Sequence, residues 1–197
     1  MEKKLQKIKK QVTQCTKCEL SKTRNNSVPG KGNFKSDVIF VGEAPGKNED
    51  MKGEPFIGIA GKKLSIALEN AGITRDDVYI TNIVKCRPPK NRVPTITERD
   101  TCKNYLKKEI EIIKPKIICI LGNTAFNSLL NGKEIIKFRG KIVRKNNQLY
   151  FLTIHPAATI YNQKLINVLK KDMKKLFKLI EEIKDKKEIK INIEYTS

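Results

Sequence analysis

Residues 37–46 have the sequence DVIFVGEAPG, a short and almost entirely apolar run followed by a loop with two glycines and a proline. Strands that are apolar on both faces are typical of parallel sheets covered by helices on each side. Two similar runs lie at 78–84 (VYITNIV) and 116–121 (KIICIL), and segments with helical apolar spacing at 61–71 and 97–113 precede them. Strands and helices therefore alternate, which predicts an α/β fold with a central, largely parallel sheet.

The remainder of the chain continues this alternation. Strands are predicted at 141–145 and 149–154, and a long helix with an apolar stripe is predicted from 162 to about 185. We expect a single domain over 1–185 and a flexible tail over 186–197.

Three strands are followed by unusual loops, at 42–50, 85–97 and 155–161. Ligands of α/β folds bind beyond the carboxyl ends of the strands. These loops are therefore the expected location of the functional site.

The charge balance favours an anionic partner. The 197 residues include 41 Lys plus Arg against 21 Asp plus Glu, which gives a formal charge of +20. Nucleic acid is the first candidate because each neutralised phosphate releases counterions, whereas an anionic membrane surface and solubility alone are the alternatives. There is no apolar run of about 18 residues and no signal-peptide pattern, so we expect a cytoplasmic location. The abundance of Lys, Ile and Glu, with no Trp, is typical of a heat-adapted source.

Four of the five cysteines could hold a metal. Cys15 and Cys18 form a tight pair, and Cys86 and Cys102 are separated by fifteen residues in a polar, proline-bearing segment. In a chain without secretion signals, this pattern favours ligands over disulfides. The spacing alone leaves zinc and an iron-sulfur cluster open. Cys119 lies mid-strand among isoleucines and is expected to be a packed thiol.

Several single residues in the loops and strands could have either a structural or a functional role. The loop 42–46 could present backbone N–H groups to a ligand or could simply be a turn. His155, the only histidine, stands where the last predicted strand ends and could donate to an anionic group. Asn82 lies in an apolar strand, where its amide needs a hydrogen-bond partner from the core or from a ligand. Phe56 could stack on a planar ligand or pack in the core.

Taken together, these segments resemble the iron-sulfur uracil-DNA glycosylases of the family 4 type. The resemblance spans roughly residues 10–185, and its ordered combination of motifs is highly specific. It rests on the four cysteines and on GEAPG with ED following (42–50), GEPFIGIAGKKL (53–64), YITNIVKCRPPKNRVPT (79–95) and HPAA (155–158).

The resemblance implies a three-layer α/β/α fold, a cofactor and a base-binding pocket. The implied cofactor is a 4Fe-4S cluster, with the ligands Cys15, Cys18, Cys86 and Cys102. The implied uracil contacts are the loop Gly42, Glu43 and Ala44, the stacking Phe56, the base-reading Asn82 and, at the uracil carbonyl, His155. His155 and Glu43 are the expected catalytic residues. Several relatives have an aspartate as general base at the place of Ala44, which this chain lacks, and Glu43 is the candidate to position the water.

The expected function is therefore DNA repair: extrusion of uracil from DNA and hydrolysis of its N-glycosidic bond, which leaves an abasic site. The expected partner is uracil-containing DNA, double- or single-stranded, bound by a monomer, with a sliding clamp as a further candidate and no membrane. A basic surface of Lys85, Arg87, Lys90 and Arg92 is expected to contact phosphates.

Two alternatives stay open at this point. One is a related glycosylase with broader base specificity. The other is a non-catalytic iron-sulfur module that binds nucleic acid, such as the glycosylase-like domains associated with phage polymerases.

Overall fold

The computed structural model describes residues 1–195 and has a single mixed sheet flanked by helices. The strands are β1 (Lys31–Gly32), β2 (Val38–Gly42), β3 (Tyr79–Asn82), β4 (Ile117–Leu121), β5 (Ile142–Lys145), β6 (Gln148–Thr153) and β7 (Ile193–Tyr195). The helices are α1 (Glu2–Thr13), α2 (Leu20–Thr23), α3 (Lys47–Lys52), α4 (Ile59–Glu69), α5 (Ile96–Ile113), α6 (Asn123–Leu130), α7 (Ile135–Phe138), α8 (Ala158–Tyr161) and α9 (Leu165–Lys184). Two short 3₁₀ turns lie at Arg75–Asp77 and Pro89–Asn91.

The sheet has the strand order β1-β3-β2-β4-β6-β5-β7. Its four central strands, β3, β2, β4 and β6, are parallel, whereas β1 and β5 run antiparallel to their neighbours β3 and β6. The predicted fold class is confirmed. The carboxyl ends of β2, β3, β4 and β6 consequently meet at one edge of the sheet.

Alternate side chains of each central strand enter two apolar clusters, one on each face of the sheet. In β2, Ile39 and Val41 pack with α1, α5 and α6, whereas Val38 and Phe40 pack with α4 and α9. Both faces are therefore buried, which explains why β2 and β4 have no polar face. The arrangement has three layers, with the helices outside and the sheet between them.

The start of α5 is fixed by a reciprocal cap. The Thr95 hydroxyl accepts from the Glu98 backbone N–H (3.2 Å), and the Glu98 carboxylate accepts from the Thr95 N–H (2.8 Å). This cap sets the register of the helix that carries Cys102 and Glu109.

The segment predicted as a flexible tail takes a place on the sheet in its described part. β7 pairs with β5, and the backbone N–H of Asn192 donates to the carbonyl of Ile142 (3.0 Å). Ile189 and Ile191 pack on the α9 side and Ile193 on the opposite side. The isoleucines at every second position of the sequence are a strand signal that the prediction did not use, although in the structure only residues 193–195 form a strand and the isoleucines lie on both sides. Residues 196 and 197 lie outside the described part. The expectation of a single domain over residues 1–185 stays a prediction.

No helix among residues 1–195 combines the length and the apolar character that crossing a membrane requires.

Candidate active site

A cavity of about 330 Å³ opens at the carboxyl edge of the parallel strands. Parts of all three predicted loops line it, together with the end of β3. Its walls include Glu43, Ala44, Phe56, Asn82, Arg92, His155 and Tyr161. Of the residues predicted to contact a base, the structure brings five to this cavity and places Gly42 against two of them.

Asn82, the last residue of β3, is held rigidly at the cavity wall. It pairs with Gly42 of β2, and the following N–H, of Ile83, donates to the Gly42 carbonyl (2.9 Å). The side chain is 1% exposed, and its Oδ1 has no hydrogen-bond partner among the described residues. A buried amide oxygen without a partner is costly, so this atom is suited to accept from a ligand N–H group.

Gly42 leaves the space that the Asn82 and Phe56 side chains occupy. A Cβ at this position would lie 2.5 Å from Asn82 Oδ1 and 2.5 Å from Phe56 Cζ. Any other residue here would displace both side chains, so the glycine serves close packing.

The Phe56 ring is fixed by its backbone. Phe56 has a positive φ of 54°, and the Arg75 guanidinium donates to the carbonyls of Phe56 and Pro55, each at 2.9 Å. Gly61 packs against the Phe56 carbonyl so closely that a Cβ at this position would clash with that oxygen. The ring centroid is 5.8 Å from that of His155, with the planes tilted by 34°.

His155 lines the cavity, and one of its ring nitrogens accepts a hydrogen bond from the backbone. Its Nδ1 accepts from the backbone N–H of Ala157 (3.1 Å), so in the neutral ring Nε2 carries the proton and can donate. Burial lowers the pKa of His155 to about 4, and the Glu49 carboxylate opposes this shift. The imidazole is therefore a neutral donor at physiological pH.

The position of His155 depends on Gly122, the residue after β4. Gly122 has a φ of +89°, and a Cβ there would lie 2.8 Å from the Cβ of His155. This contact joins residues 33 positions apart in the sequence, and no local pattern indicates it.

Within residues 1–195, two carboxylates line the cavity, and Glu43 is the one that has an oxygen without a partner. Both Glu49 oxygens are engaged, by the N–H groups of Gly58 (2.7 Å) and Gly46 (3.1 Å), so Glu49 joins two loops. The Thr124 hydroxyl donates to Glu43 Oε2, whereas Glu43 Oε1 has no hydrogen-bond partner among residues 1–195. Glu43 can therefore still accept from a water or a ligand.

The rim of the cavity carries exposed basic and aromatic side chains. Arg92 is 43% exposed and bonds to Glu98, and Tyr161, which the sequence analysis did not single out, is 91% exposed. Lys90 is also exposed, in the 3₁₀ turn that precedes Arg92. The expectation that Lys85 belongs to this surface is wrong, because it is 1% exposed and bonds to Glu109.

The four predicted cysteine ligands line a second, smaller cavity beside α1 and α5. The Arg24 guanidinium donates to Cys86 Sγ (2.9 Å) and to the Cys15 carbonyl (2.8 Å), and the Lys85 N–H donates to Cys102 Sγ (3.3 Å). Burial raises the pKa of the Cys102 thiol to about 12, although the Lys85 charge opposes this. No three His, Cys, Asp or Glu side chains in the described chain are placed to share one metal ion. Cys119 is fully buried in β4 and lines neither cavity, as expected.

Comparison with known proteins identifies the class to which this fold and site belong. A family model described as "Uracil DNA glycosylase superfamily" matches residues 29–181. The chain belongs to this superfamily, and the predicted family is confirmed.

Within that superfamily, the chain is similar to proteins named type-4 uracil-DNA glycosylase. That of Sulfurisphaera tokodaii is 45% identical over 89% of this chain and 84% of its own length. That of Archaeoglobus fulgidus is 43% identical over 89% of this chain and 92% of its own length. A DNA polymerase of Bacillus phage SP01 is 37% identical over 77% of this chain but only 17% of the polymerase.

Proposed function

We propose that this protein is a DNA-repair glycosylase that extrudes uracil from DNA, hydrolyses its N-glycosidic bond and leaves an abasic site. The observation that carries this proposal is the buried, unpartnered Oδ1 of Asn82 at the cavity wall. Uracil offers an N–H at ring position 3 to this oxygen, and its 4-carbonyl accepts from the amide nitrogen. Cytosine presents the reverse pattern and would leave the buried amide unsatisfied, which disfavours its binding.

The cavity also supplies the groups that bond cleavage requires. Breaking the bond between the sugar and the base develops positive charge on the sugar and negative charge on the departing uracil. Phe56 stacks on the base, and the Nε2–H of His155 together with the amides of Gly42, Glu43 and Ala44 stabilises the anion. His155 is neutral before the reaction, so it has no paired anion that the departing uracil would have to displace in order to accept the hydrogen bond.

Water then adds to the sugar carbon. Glu43 is proposed to orient this water through Oε1 while Thr124 holds its other oxygen. Glu49 is less suited to this role because each of its oxygens already accepts a backbone hydrogen bond that joins two loops.

The cysteine cavity fits a 4Fe-4S cluster held by Cys15, Cys18, Cys86 and Cys102. Two observations support this fit: the four thiols surround one cavity, and N–H donors from Arg24 and Lys85 point at two of the sulfurs, as thiolates require. Four separated thiols suit a cluster better than a single zinc ion. When bound, the cluster supplies cross-linking rather than electron transfer, because hydrolysis needs no redox step. It would join α1 to the 85–95 loop and to α5.

The DNA is proposed to bind across the cavity mouth. Arg92 and Tyr161 line the cavity, the exposed Lys90 adjoins its lining residue Asn91, and the overall charge of +20 favours attraction to phosphates. We further propose that the protein acts as a monomer at the nucleoid of a heat-adapted cell, with a sliding clamp as a candidate partner.

The first experiment measures uracil release from an end-labelled strand with a single deoxyuridine, with alkali cleavage to reveal abasic sites. We expect release by the wild type and its collapse in His155→Ala, with no release from the matched cytosine strand. Parallel hypoxanthine and ethenocytosine strands test broader specificity. Salt-sensitive binding without release of any base, by protein with its full iron content, would instead indicate a non-catalytic module.

A further inference from the structure

Lys85 is a fully buried cation placed directly behind the base-reading residue. Its side chain is 1% exposed, and its Nζ donates to Glu109 Oε2 (2.7 Å), to the Asn82 carbonyl (3.0 Å) and to the Thr81 hydroxyl. All three ammonium protons therefore have acceptors within the protein, and two of these acceptors belong to the last two residues of β3.

The partner carboxylate is equally well fixed. Glu109 accepts from the Thr81 hydroxyl (2.9 Å), the Gly30 N–H (3.1 Å) and the Tyr79 hydroxyl (3.4 Å). Since Glu109 lies on α5, this network anchors alternate residues of β3 to the helix layer behind the strand.

The backbone of Lys85 belongs to the cysteine cavity. Its N–H donates to Cys102 Sγ (3.3 Å), and its carbonyl accepts from the Val28 N–H (2.7 Å). A single residue thus contacts the cysteine site through its main chain and the carbonyl of Asn82 through its side chain.

Stability alone does not explain this arrangement. Buried ion pairs are often no more stabilising than apolar residues of similar volume, because both charges lose their hydration. An apolar side chain could fill the space but could not donate to the Asn82 carbonyl, which is located where the chain leaves the strand.

We propose that Lys85 is a positioning residue for uracil recognition. It fixes the peptide plane that follows Asn82, so that the Asn82 amide faces the cavity in one orientation, and it ties this orientation to the cysteine site. This inference rests on the proposed function, in which Asn82 reads the base.

The test compares binding rather than turnover. Oligonucleotides with a single non-hydrolysable 2′-fluoroarabino-uridine, or its cytidine counterpart, are titrated by fluorescence anisotropy, and the ratio of the two Kd values measures base reading. The main variant is Lys85→Met/Glu109→Gln, which removes both charges together. Leu176→Ala, in the fully buried α9 core, is the matched control for lost stability. Iron content and Tm are measured for each protein.

We expect the wild type and Leu176→Ala to bind the uracil strand at least tenfold more tightly than the cytosine strand. In the double variant this ratio should fall below about threefold, with iron content and affinity for the cytosine strand unchanged. If the double variant does not fold, Thr81→Val, which removes one acceptor of Lys85 and no charge, should lower the ratio about threefold.

If the double variant folds and keeps a tenfold ratio, the proposed role of Lys85 is overturned, and uracil reading by Asn82 is not affected. If the double variant does not fold, a tenfold ratio in Thr81→Val has the same meaning. A wild-type ratio near one would overturn the proposed reading of uracil, and this inference with it.

Discussion

The hydrogen bonding of His155 defines its chemistry. The Ala157 N–H occupies Nδ1, which leaves Nε2 as the donor of the neutral ring, and the cavity wall disfavours the charged form. A neutral donor stabilises negative charge that develops during the reaction without attracting other anions beforehand. Two residues that are distant in the sequence, Gly122 and Phe56, hold the ring in place.

This environment predicts an unusual pH dependence of stability. The pKa of His155 is about 4 in the folded protein against 6.5 for the free side chain, so the unfolded chain binds this proton first as the pH falls. The contribution of the neutral His155 to the free energy of unfolding is therefore complete above about pH 6.5 and decreases as the pH falls toward 4. Between pH 7 and 5 we expect the free energy of unfolding to decrease by up to about 2 kcal/mol more in the wild type than in His155→Ala.

Urea denaturation at both pH values measures this difference. Other titrating groups and the cysteine site affect the wild type and His155→Ala equally, so their effects cancel when the two proteins are compared. Parallel pH dependences in the two proteins would contradict the assignment. The same pKa predicts no step near pH 6.5 in the wild-type rate of uracil release.

Asn82 carries the prediction about specificity. In Asn82→Asp, the carboxyl group no longer offers the amide N–H to the 4-carbonyl of uracil, but it can accept from the amino group of cytosine. We expect uracil release to fall about 100-fold and cytosine release to become measurable, since pairing of buried polar groups governs such discrimination. Single-turnover assays on matched U and C strands decide the point. Continued exclusion of cytosine with normal uracil release would refute the role of Asn82.

At the scale of elements, two strands that end at the cavity have similar supports. The Thr81 hydroxyl in β3 donates to Glu109 of α5, which pairs with Lys85. The Thr153 hydroxyl in β6 donates to Asp172 of α9 (2.7 Å), which pairs with Arg139 (2.6 Å). In each case a buried acid on a covering helix fixes the strand end just before Asn82 or His155. The cavity therefore depends on both helix layers.

The β4 end offers a matched test of this dependence. Gly122→Ala places a methyl group 2.8 Å from the His155 Cβ, whereas Gly72→Ala, also at positive φ, has no neighbouring atom within 4 Å. Both substitutions should lower the free energy of unfolding through backbone strain, Gly72→Ala by roughly 1–2 kcal/mol. Gly122→Ala should cost more, because its φ of 89° and ψ of 172° lie in a region that is essentially restricted to glycine. Only Gly122→Ala should lower the excision rate, by about tenfold or more, because it moves the imidazole. Thermal unfolding and single-turnover rates distinguish the two variants, and equal excision rates would refute the contact.

The sequence predicted the elements better than the contacts between them. Apolar runs such as 37–41 identify buried strands because the signal is local. The motif resemblance pointed to Asn82, Phe56 and His155, which the structure places around one cavity. Lys85 was wrongly assigned to the surface because its partner, Glu109, is 24 residues away. The supports Gly122 and Arg24 were missed for the same reason, since each acts on a residue distant in the chain.

At the scale of the whole molecule, some of the positive charge lies near the cavity and some lies far from it. Lys47, at the start of α3, and Lys90, in the 3₁₀ turn before Arg92, are exposed and adjoin residues that line the cavity. Lys174 and Lys178 are exposed on α9, which contributes no side chain to the cavity. A solvated helix face and a phosphate-binding surface have similar composition, so only the fold separates the two pairs.

DNA binding at several salt concentrations tests this division. Lys47→Gln/Lys90→Gln should reduce the slope of log affinity against log salt by about 2 on duplex DNA, because each lost phosphate contact contributes about 0.9. Lys174→Gln/Lys178→Gln, with the same change in net charge, should leave the slope nearly unchanged. Equal effects of the two pairs would indicate that net charge, rather than the loops, determines binding.

The strand β7 also affects how the protein behaves at high concentration. Without β7 the outer strand would be the four-residue β5, whereas with β7 in place the outer strand is only three residues long, and very short edge strands are poorer templates for pairing with other chains. We therefore expect the carboxyl-terminal segment to reduce aggregation, although its described part adds no side chain to the cavity. A chain shortened at residue 188 should still form the cavity, but on heating it should become turbid in a concentration-dependent way that the full chain resists.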